Sequence, residues 1–592
     1  MIGNGRKLSA LDLLALPIAP HGGIRQDTDG FHVDEPWAVA DFGALSLKAG
    51  WWRIDCKGKD IGFPELRLSA PWDPLITVRI EQGSGARIYL RKGDYRVSLL
   101  ASAWPGQRQF ERLAFQRLGI LAQAHLMAAG LARLSRRERP FEILARALRR
   151  LLAGQSIGVR SGTSLVKDPP AAPPPVAVAS SRRIVEKDGM AVILEVDDRL
   201  HNDAFAIAGA EFARRPSLEV LFSDADEIGH ITPHPQWDAD LARAFSFGDA
   251  PIFLRASAAR GDVSLSQLVD RHGASAIGRV PLPLVSRKSA RTQFPKVIPV
   301  PTLAIIPRVS VIIPTKTRID LLKLCLHSLR NQTGYANLQI VIVDNGATDP
   351  EFPSLLKDAA EVFDLIKVED FGVFNFSRLI NAGVARSDGQ ILLLLNDDVE
   401  AQELGWLERM VDSAMRPEVG AVGARLTYAD GSIQHAGVAL GLGGVCGHLW
   451  KGMSREAAAT NPYVSLPGRR LAVTAACLAV RRCVFDEAGG FDEALGVALN
   501  DIDFCLRLHA KGYANTYRGD AWLVHHESQS RGLDDATLAK RKRLLEEAAV
   551  FLGRWSGLIG SDPFSSPAFD VATESGAVHS AAWGRPQDYR DV

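Results

Sequence analysis

From about residue 304 onward the chain alternates continuous apolar runs with amphipathic stretches, and this pattern constrains the fold more than any other. The runs are "RVSVIIPTKT", "LQIVIVDNGATD" and "ILLLLNDD". Between and after them come "DLLKLCLHSLRNQ" and "LGWLERMVDSAM". A strand that is apolar at every position needs cover on both faces, which a parallel sheet between helix layers supplies. In such sheets a ligand binds outside the carboxyl ends of the strands. Three of those ends carry polar residues: Pro314-Thr315, Asp344-Asn345-Gly346 and Asn396-Asp397-Asp398.

The chemistry of these residue types fits a crevice. Asp344 can recognise a base or ribose through hydrogen bonds. Asp397 and Asp398 can hold Mg²⁺ or Mn²⁺, which take one or two carboxylates plus substrate phosphates. The competing reading is helix capping, because Asn and Asp favour N-caps and "EAQELGWLERMV" follows. Further on, "GGFDEALGVALNDIDFCLRLHAKGY" places Asp501 and Asp503 before an amphipathic helix. A carboxylate there suits a general base, with capping by Asn500 or Asp501 as the alternative. "AWLVHHES" ends a strand-like run at His525-His526, where a histidine can complete a metal shell or touch phosphate.

A length of 592 residues exceeds one core and predicts three to four domains. Residues 1–107 read as a small antiparallel β domain, from pieces such as "WWRIDC" and "LITVRI". Trp51, Trp52 and Trp104 within it suit either a core or a sugar-stacking platform, and the core is favoured. Residues 108–166 shift to helical spacing studded with arginines. Such helices suit an anionic membrane surface or a solvated face packed on the protein itself. Residues 167–182 are a Pro/Ala-rich linker. Residues 183–300 hold two apolar runs that end in acidic residues, with a helix expected near 203–214. The final segments are 304–560 and a tail at 561–592.

Net charge is +1, so no global field recruits nucleic acid. Six sparse cysteines without a CxxC pair argue against a disulfide scaffold or a structural zinc site. No signal peptide and no apolar run long enough to cross a bilayer is read, so the expected location is cytoplasmic, with peripheral contact at the inner membrane face left open.

Residues 309–532 resemble the family 2 glycosyltransferases, closest to bacterial rhamnosyltransferase-like or O-antigen-type members. The resemblance rests on an ordered set: "VSVIIPTKTRIDLLKLCLHSL", "IVIVDNGATD", "FNFSRLINAGVARSDGQILLLLNDDV", "GAVGARLTYADGSIQHAGV", "GGFDEALGVALNDIDFCLRLHAKGY" and "VHHESQSRG". It implies an α/β GT-A fold and inverting, metal-assisted transfer from a nucleotide-diphosphate sugar to a glycan or lipid-linked glycan. By the same resemblance, Pro314 and Thr315 lie under the nucleotide and Asp344 contacts the nucleobase. Asn396-Asp397-Asp398 stands at the DxD-type motif, with the metal expected at Asp398 and Asp397 facing the nucleotide sugar. Asp501 matches the catalytic base, with Asn500 in place of the usual Glu. His525 matches a metal- or phosphate-contacting histidine, with His526 as fallback. Residues 183–300 resemble the second half of another such domain, with Asp197-Asp198 as a relic of its acidic motif. That implies a degenerate, non-catalytic partial domain, against the alternative of an independent spacer.

Two other classes compete. One is an inactive glycan-binding scaffold of a polysaccharide-assembly system, disfavoured by joint retention of Asp344, Asp398 and Asp501. The other is a nucleotidyltransferase, which should carry a Gly-rich basic loop where this chain has "PTKTRID".

Overall fold

The computed structural model describes the strands between residues 10 and 117, residues 157–159, and most of 182–232 and 251–287. It then describes 298–526 apart from 443–444, followed by 538–558, 562, 564 and 589–590. The chain divides into two compact units, Met1–Ala172 and Pro173–Val592.

In the first unit, strands pair antiparallel into a seven-stranded and a four-stranded sheet. Along strand Gly50–Lys59 the alternate residues Trp52, Ile54 and Cys56 are buried, the period of a half-covered sheet. The Trp52 ring lies 6.0 Å from that of Phe115, so this tryptophan is core. The Trp51 side chain and Trp104 lie outside the described residues.

The helical reading of residues 108–166 is corrected at its start. Arg108–Arg117 is a strand antiparallel to Gly50–Lys59, with Leu113 opposite Cys56 and Phe115 opposite Ile54. Leu113 and Phe115 are two apart, so they share one sheet face, and burial against the neighbouring strand outweighs local helical spacing. Residues 118–156 and the linker at 167–181 lie outside the described residues.

The second unit holds two large sheets. The smaller runs in the order Arg182–Lys187, Met190–Glu195, Ile252–Arg255, Val220–Glu227, Ile277–Arg287, Arg199–His201 and Tyr589–Arg590. Helix Ala204–Arg214 packs on it where the spacing predicted one. Its buried carboxylates serve the sheet itself. Asp224 pairs with Arg279 at 3.1 Å and Asp198 lies 3.7 Å from Arg287.

The larger sheet carries the polar strand ends. Its strands are β1 (Val309–Thr315), β2 (Leu338–Asp344), β3 (Asp364–Glu369), β4 (Ile391–Leu395), β5 (Val399–Ala401), β6 (Val419–Thr427), β7 (Ile433–His435), β8 (Pro467–Arg470), β9 (Cys477–Arg481) and β10 (Ala514–His525). They run in the order β3-β2-β1-β4-β9-β6-β10-β5, with β7 on β6 and β8 on β10. The block β3-β2-β1-β4 is parallel, whereas β9 pairs antiparallel with both β4 and β6.

Every residue of β1 and of β4 is buried, as their unbroken apolar runs require. Val311 and Ile313 pack with Leu322 and Leu329 of helix α1 (Ile319–Gln332) on one face. Ile312 meets Leu379 and Ile380 of a second helix, Phe376–Arg386, on the other. A Cβ on Gly383 of that second helix would stand 2.5 Å from Ile312 Cγ2, so glycine sets its close approach.

The chain steps outward from β1 to β2 to β3, then returns across β1 to form β4. The order therefore reverses between β1 and β4, and a crevice opens at their carboxyl ends. Thr315 and Asn396-Asp397-Asp398 sit at that point.

Candidate active site

The capping alternative fails for Asn396-Asp397-Asp398. After Asp398 the chain forms β5, antiparallel to β10, and the next helix begins only at Trp406 with Gly405 as its cap residue. The three residues thus bridge two strands of one sheet. The Asn396 N–H donates to Ala476 O at 3.1 Å, and His526 N–H donates to Asp398 O at 2.9 Å.

The two aspartates meet different surroundings. The Thr315 hydroxyl donates to Asp397 Oδ2 at 2.7 Å, linking β1 to the bridge. Burial pushes the Asp397 carboxyl up to about 7, and the neighbouring Asp398 charge adds to this against the Thr315 hydrogen bond. Burial acts on Asp398 in the same sense, but His525 beside it wins and holds that carboxyl below the usual range. The His525 Nε2 lies 3.0 Å from Asp398 Oδ1, an oxygen that is buried yet receives no well-directed hydrogen bond.

The other face of His525 is fixed by a residue that sequence reasoning missed. Its Nδ1 lies 2.7 Å from Gln434 Oε1 on β7. A carbonyl oxygen there holds a proton on Nδ1, and Nε2 on the other side of the ring faces a carboxylate oxygen. Lone pair against anion is repulsive unless a proton or a cation lies between them. Asn396 Nδ2 stands 3.3 Å from the same Nε2. His526 points elsewhere, to Glu400 Oε2 at 3.1 Å.

This donor set fits a hard divalent cation. A bare carboxylate oxygen and an oriented imidazole nitrogen give two protein ligands, within the one or two that Mg²⁺ and Mn²⁺ take when phosphates complete the shell. Among the described residues no group of three or more His, Cys, Asp or Glu side chains is arranged to hold a metal. Gln434 lies inside the quoted "GSIQHAGV", but a glutamine in a three-residue strand carries no periodic signal. Its replacement by leucine should weaken Mn²⁺ binding in the presence of a nucleoside diphosphate by about 10- to 100-fold, read by calorimetry. Unchanged affinity would remove the orienting role.

Asp344 is placed one strand away, opposite Thr315 in the β1–β2 register. Its Oδ1 accepts from the Gly346 and Ala347 N–H groups at 2.9 and 2.7 Å, and Oδ2 lies 3.1 Å from Lys367 Nζ. Gly346 has φ of +89°, so the turn needs glycine. The carboxylate thus shapes the turn at the end of β2 while its remaining lone pairs stay available. Pro314 precedes Thr315 within buried β1. Arg318, bound to Asp320, is near enough to Asp397 and Asp398 to feel both charges, and was also missed.

Asp501 enters from helix α2 (Asn500–Ala510), whose cap position is Leu499, so neither Asn500 nor Asp501 is the cap residue. Asp501 Oδ2 accepts from Ala475 N–H and Oδ1 from Ile502 N–H, each at 2.9 Å. Burial raises this carboxyl, and the hydrogen bonds from Ala475 and Thr474 only partly offset it. Ala475 and Ala476 are consecutive, so one short segment contacts both the Asp501 carboxylate and the Asn396 backbone. Thr474 gave no sequence signal. A single hydroxyl within "RRLAVTAACLAV" resembles any strand residue.

The shift at Asp397 has a stability consequence. Its folded-state value of about 7 exceeds the ordinary 3.8, so between those values the folded chain holds more proton than the unfolded one. That contribution is present below about pH 4 and is lost as pH rises through 7. Asp397→Asn, which keeps an oxygen for the Thr315 hydroxyl, should match the parent near pH 4. At pH 8 it should gain at least about 1.4 kcal/mol, one pKa unit's worth. Chemical denaturation at the two pH values checks this, and equal stability at pH 8 would refute the raised value.

Residues 310–442 match the family model described as "Glycosyl transferase family 2". An uncharacterised Sinorhizobium fredii protein is 41% identical over 286 residues, covering 47% of this chain and 31% of that protein. The Myxococcus xanthus O-antigen biosynthesis protein RfbC is 35% identical over 373 residues, covering 62% of this chain and 28% of its own length. A Mycobacterium tuberculosis N-acetylglucosaminyl-diphospho-decaprenol L-rhamnosyltransferase is 29% identical over 154 residues, covering 25% of this chain and 50% of that enzyme. The chain thus spans half or less of the length of each of these relatives.

Proposed function

We propose, for a chain that belongs through residues 310–442 to the family 2 glycosyltransferases, that it moves a sugar from a nucleotide-diphosphate donor to a hydroxyl of a growing cell-surface glycan. The observation that carries this reading is the buried, undonated Asp398 Oδ1 facing an imidazole that Gln434 has oriented, at the switch point of the sheet.

In this reading the sheet has a GT-A arrangement. The nucleotide lies along the ends of β1 and β2, over Pro314, Thr315 and Asp344. Asp398 and His525 would hold Mg²⁺ or Mn²⁺, which when bound neutralises the charge of the diphosphate leaving group. Asp397, fixed by Thr315, faces the donor sugar, and Asn396 keeps His525 in place. Asp501 takes the proton of the acceptor hydroxyl as that oxygen forms a bond to the anomeric carbon. The bond to diphosphate breaks on the opposite face, its electron pair leaves with the nucleoside diphosphate, and the sugar configuration inverts. The raised Asp501 carboxyl suits this role, since a base is most effective when its pKa approaches the working pH.

The acceptor is a lipid-linked or cell-surface glycan, in keeping with the printed names of the Myxococcus and Mycobacterium relatives. Among the described residues no helix is long and apolar enough to cross a membrane. We assign the reaction to the cytoplasmic side, where a peripheral contact would bring the acceptor within reach. Residues 183–300 are a degenerate partner domain in this reading, since Asp198 and Asp224 lie beside Arg287 and Arg279 within their own sheet.

The test is titration of the protein with Mn²⁺ and a panel of UDP-, GDP- and dTDP-sugars, followed by thermal shift and calorimetry. Metal-dependent stabilisation by one nucleotide class supports the reading and identifies the donor class. A folded protein that binds none of them refutes it and favours an inactive scaffold.

A further inference from the structure

Helix α2 begins in a strained way. Leu499, just ahead of it, has φ of +63°, a left-handed conformation that strains a non-glycine residue. Such a residue persists only where its surroundings over-determine it. The determinants come from a helix far along the chain, α3 (Leu538–Trp555). Glu547 on α3 is 5% exposed, and its Oε2 accepts the Ala498 N–H at 2.6 Å. One turn into α2, the fully buried Asp503 receives Trp555 Nε1–H at 2.9 Å and Arg554 Nη1–H at 3.0 Å. Asp503 N–H in turn donates to Leu499 O at 2.9 Å. The α3 side chains therefore grip the chain on both sides of Asp501, at 498 and at 503.

We propose that α3 is the positioning element for Asp501, with Glu547 as the decisive residue. The inference rests on the transferase reading given above. A carboxylate is costly to bury, and this one accepts the backbone N–H in front of the strained residue through Oε2, while its Oε1 lies 3.8 Å from Arg543 Nε. With Ala498 tied, Leu499 keeps its left-handed turn and the first turn of α2 presents Asp501 beside Ala475. An open cleft lies next to α3, lined by Asn381, Phe491, Arg507, Arg554 and Trp555 among others. Its arginines are already engaged: Arg507 with Asp503 and Gly490 O, and Arg554 with Asp492 and Asp503.

The experiment compares the full chain with Glu547→Ala and Glu547→Gln, reading steady-state kinetics and hydrogen exchange by mass spectrometry. Alanine removes the acceptor, so kcat should fall by about 10- to 100-fold, the scale of a misplaced catalytic group. The donor KM should stay within about twofold, because its site lies on β1, β2 and β4. Exchange across 495–506 should rise while that of 309–315 holds. Glutamine keeps an accepting oxygen and should restore most of kcat and the slow exchange. If Glu547→Ala does not fold, Trp555→Phe, which deletes one donor to Asp503, should give the same pattern more weakly. Parental kcat and exchange in the variants would overturn the inference, as would glutamine behaving like alanine. If the parent transfers no sugar, the transferase reading fails by itself. Exchange at 495–506 then still decides whether α3 holds this segment.

Discussion

Asp398→Ala should abolish Mn²⁺-dependent binding of nucleotide-diphosphate sugars while leaving the chain folded. Of the side chains at the bridge between β4 and β5, Asp398 alone offers a buried oxygen without a directed donor, set against an oriented imidazole. Removing it leaves His525 to face the metal unaided. A cation bound there would then lose its anionic protein ligand. We expect a loss of at least about 100-fold in affinity for the metal–nucleotide pair, the upper end of what even outer ligand partners contribute. Calorimetry with and without Mn²⁺ separates this from a general loss of nucleotide binding, since the contacts proposed for Thr315 and Asp344 do not involve Asp398. In this variant Gln434 still holds the Nδ1 side of His525. A variant that binds Mn²⁺ and donor as the parent does would remove Asp398 from the metal site.

Asp501→Asn carries the second large effect. Asparagine has nearly the same shape but cannot accept a proton from the acceptor hydroxyl. kcat should fall by about 10²- to 10⁴-fold, with donor affinity retained. The parent's pH–rate profile supplies an independent reading. Because burial raises the Asp501 carboxyl, the acid limb of kcat/KM should fall off above the ordinary carboxylate range near 3.8. Below its pKa the base is protonated and idle, so rate rises with pH through that value. An acid limb that persists in Asp501→Asn, or a variant with near-parental kcat, would transfer the base role to another group.

Much of the site was legible because the physics behind it is local. A strand such as "ILLLLNDD" must be covered on both faces and must then surface, so its polar end is bound to lie at a rim. The same logic identified Thr315 and Asp344. What escaped was set by distant partners. Gln434 acts through a histidine 91 positions away, and Thr474 through Asp501. Glu546 and Glu547 are neighbours in "RLLEEAAVFLGRW", yet one faces solvent and the other is buried against Ala498. No local spacing tells them apart. Arg108–Arg117 shows the converse error, where a plausible helical period yields to cross-strand burial of Leu113 and Phe115.

The strand order of the large sheet also bears on how the protein is made. Strands β3, β2, β1 and β4 are contiguous in sequence and adjacent in space, so they can pair while the rest is still being synthesised. His525, Asp501 and the helix that holds Asp501 emerge more than a hundred residues later and close the sheet through β9 and β10. In the transferase reading, a nascent chain halted in between would own a nucleotide shelf without a proton acceptor or the imidazole partner of Asp398. An unfinished chain would therefore have no means of wasting activated sugar on water.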